Sequence, residues 1–336
     1  MTLRIAINGF GRIGRLILRG ILETNQSDVH VVAINDLGKP EDHAHLFKYD
    51  SVHGRYSGHV TYSDDTLCID QQRIKLFQHS NPADLPWADL DIDIVFECSG
   101  HFTKRSQSAL HLEAGAKRVL ISAPSVDADF TVVYGVNHGE LTSSHKIVSN
   151  ASCTTNCLAP LADVLHKAVG IDCGYMTTIH SYTGDQRLVD MQHNDLRRAR
   201  AAAESIVPSS TGAAKAVGLV LPELKGKLDG TALRVPTSNV SVVDFKFVSQ
   251  TPGVTKDHIH DAVYAASNGR LKGILDVCEA PLVSRDFVHY PASCVFDATQ
   301  TQIIDGKLCR VLAWYDNEWA FSLRMIDVAK AWRDAA

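Results

Sequence analysis

The chain has 336 residues, 45% of them hydrophobic and 21% charged, and a formal net charge of −5 from 33 Lys+Arg against 38 Asp+Glu. That length predicts two domains, at about 100–200 residues each, and the composition is that of a globular chain with a large core. The mild acidity gives no reason to expect a nucleic-acid or membrane partner, and no apolar run approaches the roughly 18 residues of a transmembrane helix.

Leu3–Asn8 is a short apolar strand with no signal-peptide pattern before it. Gly9-Phe10-Gly11-Arg12-Ile13-Gly14 follows, and Arg15–Leu22 continues at helical spacing. Val29–Ile34 is a second continuous apolar strand, of the kind buried in parallel sheets. A helix is expected over Pro40–Lys48, then small antiparallel strands at His59–Tyr62, Thr66–Ile69 and Arg73–Phe77. Ile92–Glu97 and Arg118–Ser122 return to buried strands around a helix near Ser106–Ala114, and Phe130–Val136 and Ile147–Ser149 complete the half. This alternation predicts an α/β, doubly wound Rossmann-type domain over 1–151.

The character then changes. Thr154–Ala168 reads as a helix, Gly174–Ile179 as a strand leading to His180, and Ser181–Ala203 as a long basic loop of the kind that is usually functional. Thr231–Val235, Val240–Val248, Gly273–Val277 and Leu308–Trp314 read as strands, with a helix at Thr255–Ala266. An α+β catalytic domain with a mostly antiparallel sheet is expected over 152–316. The terminal segment 317–336, with an amphipathic helix at Phe321–Trp332, is expected to pack back on the first domain.

Two motifs carry chemistry. The glycines Gly9, Gly11 and Gly14 follow a strand and open a helix, and Asp36 ends the next strand 22 residues after Gly14. In that context they form a dinucleotide site. The glycines admit a pyrophosphate to the helix N-terminus, and Asp36 accepts from the ribose hydroxyls and repels a 2′-phosphate, favouring NAD. In Ala151-Ser152-Cys153-Thr154-Thr155-Asn156-Cys157, Cys153 stands at an expected helix start, where amides and the dipole favour a thiolate. Eight cysteines are scattered, with only Cys153 and Cys157 close together, so no zinc site or other metal is expected. Reduced thiols and a cytoplasmic location are the simplest reading.

Asn8–Arg15, Lys48–Arg55, Ser149–Cys157, His180–Gln186, Asp195–Ala203, Ser210–Ala214, Leu233–Pro236 and Trp314–Trp319 together make the sequence resemble phosphorylating glyceraldehyde-3-phosphate dehydrogenase along essentially its whole length. The resemblance implies that Cys153 attacks the aldehyde of glyceraldehyde 3-phosphate, that His180 is the acid/base, and that inorganic phosphate attacks the resulting thioester. It implies a C3-phosphate site at Thr183 and Arg234 and an attacking-phosphate site at Ser152, Thr154, Thr211, Gly212 and Arg198. It places Arg12 and Ile13 against the cofactor, Ser122 near a ribose and Asn317 on the nicotinamide carboxamide. It also implies a homotetramer. Cys157 reads as a buried small residue. Gln192, where the family often has proline, leaves NADP as a weaker alternative cofactor. The related erythrose-4-phosphate dehydrogenase, which hydrolyses the thioester, is the competing reading; a binding role added to the same fold is another.

Overall fold

Covering a parallel sheet with helices on both faces makes its strands apolar from end to end, and the first unit is built this way. The computed structural model describes residues 2–335. They divide into a unit made of the chain up to Val132, His138–Ala151 and the segment from Ser322 onward, and a unit made of Val133–Asn137 and Ser152–Phe321. In the first unit, Leu3–Asn8 lies inside a nine-stranded sheet, between the parallel strands Val29–Asn35 and Ile94–Glu97. Arg118–Ile121, Ile147–Ser149 and Phe130–Thr131 extend one flank in parallel. Gln72–Phe77 extends the other, and Thr66–Ile69 and Val60–Ser63 finish it antiparallel. Ile5, Ile7, Val31, Val95, Phe96 and Leu120 are fully buried.

The strand order reverses at Leu3–Asn8, so a crevice opens at its carboxyl end, where doubly wound sheets hold their ligands. The helix Arg12–Glu23 starts there and buries Leu16, Ile17, Leu18 and Ile21. The terminal helix, Trp319–Arg333, is in this unit from Ser322 on. It lies so close to the first helix that a Cβ on Gly20 would meet Leu323 at 2.9 Å. Trp332 Nε1 donates to the Thr142 carbonyl at 3.1 Å, and Lys330 and Arg333 both pair with Asp28.

The strand expected over Phe130–Val136 is shorter than its apolar run. The chain pairs only through Phe130–Thr131 and then turns, with the Val133 N–H donating to Asn137 Oδ1 at 2.8 Å and Gly135 at φ +87°.

The second unit holds an eight-stranded sheet. Its order is Val207–Ser209, Leu228–Val235, Ile171–Ser181, Ser241–Ser249, Leu308–Tyr315, Cys294–Asp297, Leu275–Cys278, with Gln302–Ile304 added beside Leu308–Tyr315. Leu228–Val235 with Ile171–Ser181, and Leu275–Cys278 with Cys294–Asp297, are parallel pairs; the other pairings are antiparallel. The helix Cys153–Val169 is buried along most of its length. Residues 182–206 contain no helix or strand. Their backbone is cross-linked instead, Met191 N–H to Ala199 O at 2.9 Å and Ala202 N–H to Arg187 O at 2.9 Å.

Candidate active site

The crevice of the first unit is shaped for a dinucleotide. Gly9 has φ +91°, and a Cβ there would lie 2.5 Å from the Ser99 nitrogen. A Cβ on Gly14 would lie 2.2 Å from the Gly9 carbonyl oxygen. Both positions need glycine for the turn itself. Gly11 is different: a Cβ there meets nothing within 4 Å, and Gly11 caps the helix Arg12–Glu23 with no side-chain bond to its first amides. That helix end thus offers open backbone donors to an anion. Next to it is a cleft of about 390 Å³ lined by Gly9, Gly11, Asn35, Asp36, Leu37 and Ser99 among others. Asp36 Oδ2 accepts from the Phe10 amide at 2.7 Å and Oδ1 from the Gly38 amide at 2.9 Å, so the carboxylate is held at the cleft wall. Ser122 follows the Arg118–Ile121 strand, at the same carboxyl end of the sheet, and its N–H donates to the Glu97 carbonyl. Ile13 lies in the first turn of the helix, and the Arg12 guanidinium is bound to Asp50 at 2.5 Å, leaving the helix-start backbone to face a ligand.

The cleft floor is fixed by a buried network. Glu97 accepts from Asn8 Nδ2 at 2.5 Å and lies 3.0 Å from His111 Nε2, while Trp87 Nε1 donates to His111 Nδ1 at 3.1 Å. The Trp87 donor fixes the ring as the tautomer with its proton on Nε2, facing Glu97.

In the second unit, Ser152 caps the Cys153–Val169 helix, its Oγ accepting from the Thr155 amide at 3.0 Å. Cys153 is therefore the first helical residue. The strand Ile171–Ser181 delivers His180 beside it, with Cys153 Sγ to His180 Nε2 at 3.6 Å. The Ser181 carbonyl lies 2.7 Å from His180 Nδ1. A proton on Nδ1 would serve this carbonyl and turn Nε2 to the thiol as a base, whereas the Arg234 guanidinium, which only donates, bonds Nδ1 in the opposite tautomer. Arg234, the neighbour of His180 on the adjacent strand, brings Nη1 to 2.8 Å from the same Nδ1 and to 3.1 Å from the same carbonyl.

Burial here opposes the helix-start amides that favour a thiolate. Burial pushes the Cys153 thiol up, and the charge of Arg234 and the hydrogen bonds of Thr154 oppose this without prevailing. Burial, then the charges of Arg234 and Arg198, push His180 down to about 3, against the Ser181 carbonyl, which favours the charged ring.

The residues expected to hold anions lie on or next to elements that adjoin the Cys153 helix and the His180 strand. Thr155 Oγ1 donates to the Ala213 carbonyl at 3.3 Å, joining the turn of Ser152 and Thr154 to that of Thr211 and Gly212. Gly212 caps the helix Ala213–Val220 without a side-chain bond. The half-buried Arg234 has no carboxylate partner among the described residues, and its Nε has no hydrogen-bond acceptor. Arg198 is neutralised by Asp185, at close contact, and by Asp195 at 3.6 Å. Thr183 opens the same loop, its N–H directed at Gln186 Oε1 at 3.4 Å. Thr154 Oγ1 is bonded to Tyr315 Oη at 2.8 Å, and Tyr315 also bonds Thr178 Oγ1 at 2.8 Å. Sequence reasoning passed over Tyr315 and Ser241, which read as ordinary strand residues and meet their partners only through the sheet. Asp185 had a signal: it is the acidic residue that precedes the basic run.

A doubly wound nucleotide-type unit and a second unit carrying a Cys–His pair beside a guanidinium without a carboxylate partner define the class, a thiol-bearing, nicotinamide-dinucleotide-linked dehydrogenase. Residues 3–105 match the family model of the glyceraldehyde 3-phosphate dehydrogenase NAD binding domain, and residues 152–317 that of its C-terminal domain. The chain is 59% identical over 331 residues to the glyceraldehyde-3-phosphate dehydrogenase of Xanthobacter flavus, covering 98% of each chain. It is 57% identical over 331 residues to that of Cereibacter sphaeroides and 53% identical over 330 residues to that of Geobacillus stearothermophilus, again covering 98% of each. The chain belongs to the glyceraldehyde-3-phosphate dehydrogenase family.

Proposed function

We propose that this protein oxidises and phosphorylates glyceraldehyde 3-phosphate to 1,3-bisphosphoglycerate with NAD, using Cys153 as nucleophile and His180 as acid and base. The observation that carries the reading is the 3.6 Å approach of Cys153 Sγ to His180 Nε2 at a helix start. Nucleophile and base within reach, with the base oriented by a third group, is the general pattern of covalent catalysis.

Cys153 Sγ bonds to the aldehyde carbon while its proton passes to His180 Nε2. The imidazolium returns that proton to the new alkoxide, giving a thiohemiacetal. His180 then takes the hydroxyl proton as hydride leaves the carbon, and a thioester remains on Cys153. Bound NAD supplies the hydride acceptor. Phosphate attacks the thioester, and Cys153 leaves as thiolate and is reprotonated by His180. The Cys153 amide and the His180 ring are suited to stabilise the oxyanion.

Gly9, Gly11, Arg12, Ile13 and Gly14 would hold the cofactor's pyrophosphate side, Asp36 the adenosine ribose, Ser122 the region of a ribose, and Asn317 the carboxamide. NADP is the weaker alternative. Thr183 and Arg234 would take the substrate's C3 phosphate. Ser152, Thr154, Thr211, Gly212 and Arg198 would take the attacking phosphate, since guanidinium and short hydroxyl donors suit that anion. The first unit is then the NAD-binding domain and the second the catalytic domain. A homotetramer fits the exposed apolar side chains of Leu188, Val189, Met191, Leu196 and Ile206 on and beside one loop, a concentration that monomers rarely leave bare. The location is cytoplasmic; among the described residues no helix is long and apolar enough to cross a membrane.

Cys153→Ser tests the assignment. It should abolish dehydrogenase activity with NAD affinity and thermal midpoint retained, while Cys157→Ser keeps most activity. Iodoacetate should label Cys153 first in peptide maps; preferential labelling of another cysteine would sink the proposal.

A further inference from the structure

The side chain of Asn317 is held in one orientation. Its Oδ1 accepts from Ser181 Oγ at 2.9 Å and from Ser241 Oγ at 2.8 Å. The two hydroxyls are themselves set by the sheet: Ser241 Oγ accepts from the Ser181 N–H at 3.0 Å. Ser181 and Ser241 are fully buried. Turning the amide over would bring Nδ2, which has no lone pair to accept with, against both hydroxyl protons and leave them sealed from water without an acceptor. Among the described residues Nδ2 donates to nothing, and it is not one of the sealed-off polar atoms. His180, which precedes Ser181, lies on the same strand.

We infer that Ser181 and Ser241 act as positioning residues that lock Asn317 with its N–H donors outward, so that the nicotinamide pocket reads a carbonyl acceptor and is indifferent to the carboxamide's own NH2. This rests on the reading of Asn317 as the carboxamide partner. The specificity predicted is for a pyridine ring bearing any 3-acyl oxygen.

Dissociation constants of NAD and of its 3-acetylpyridine analogue, which keeps the carbonyl and lacks the NH2, test this by fluorescence titration of the full-length protein without substrate. The parent should bind the two within about threefold of each other, the effect of less than one net hydrogen bond. Asn317→Asp presents acceptors only, and the analogue should become weaker relative to NAD by about three- to tenfold. Ser181→Ala, and more fully Ser181→Ala with Ser241→Ala, frees the amide to turn and should shift the ratio in the same direction. Each ratio is internal to one protein, so a general loss of stability cancels, and the parent ratio stands without any variant. A parent that rejects the analogue tenfold or more overturns the inference. A ratio that moves with Asn317→Asp and stays fixed in the serine variants overturns the lock and leaves the carboxamide contact standing. A ratio unmoved in all variants overturns the carboxamide contact as well.

Discussion

At Cys153 the dipole of a helix end and the charge of Arg234 compete with burial, and burial wins. The imidazole stands 3.6 Å away, placed to take the thiol proton. The sign follows directly. A raised thiol pKa means the thiolate fraction grows as pH rises through neutrality and beyond, while a ring lowered to about 3 contributes no protonation step between pH 5 and 8. Alkylation of the cofactor-free protein by iodoacetamide should climb steadily from pH 6 to pH 9, approaching about tenfold per unit below the thiol pKa. A plateau already reached at pH 6 would mean a pre-formed ion pair. His180→Asn should slow hydride transfer in single turnovers by about 10²–10⁴-fold, the usual scale of general acid–base assistance. A change of less than about threefold, well below that scale, removes His180 as the base. Asp36 is held at the wall of the cleft by the Phe10 and Gly38 amides. Asp36→Ala should improve kcat/KM with NADP relative to NAD by removing repulsion of the 2′-phosphate. An unchanged ratio would mean that the carboxylate does not face the ribose.

The elements that carry chemistry are those with the strongest local signals. Leu3–Asn8 with its glycine turn, Val29–Asn35 and the Cys153–Val169 helix are legible because apolar runs, caps and glycines agree on them. Asp36 and Cys153 follow from motif position alone. What the residues did not reveal is non-local. The strand Val207–Ser209 and the helix Ala213–Val220 are short, rich in small residues and without clear period, and their pairing with Leu228–Val235 and packing on the Cys153 helix decide them. Cys294–Asp297 is a four-residue strand with partners on both sides. The upward push on the Cys153 thiol was equally hidden, because burial is set by the fold and not by the residues beside it in sequence. Ser152 shows one residue serving two purposes, as helix cap and as expected phosphate ligand. Ser152→Ala should lower stability by about 0.5–2 kcal/mol in urea unfolding and also raise the KM for phosphate. Thr255→Ala removes a comparable cap, from the helix Lys256–Asn268, and should cost similar stability with turnover unchanged. If both variants leave phosphate KM alone, Ser152 is a cap only.

On the scale of the whole molecule, one unit supplies an open helix end beside an acidic-walled cleft, and the other gathers a thiol, an imidazole and a guanidinium with no carboxylate partner. Family membership fixes the chemistry such a pairing performs in outline; the proposed roles of Arg198, Thr154 and Thr211 make it phosphorylating rather than hydrolytic. The most direct measurement is therefore NADH formation from glyceraldehyde 3-phosphate with and without inorganic phosphate. With phosphate, turnover should be continuous and yield an acyl phosphate. Without it, NADH should appear as a burst of about one equivalent per active site, because the thioester on Cys153 accumulates. Arg198→Ala should weaken the phosphate dependence more than the burst, and erythrose 4-phosphate should be the poorer substrate, since its extra carbon displaces the terminal phosphate from Thr183 and Arg234 and misplacement by about 1 Å can cost 10²-fold. Steady, phosphate-independent turnover that favours erythrose 4-phosphate would contradict this account.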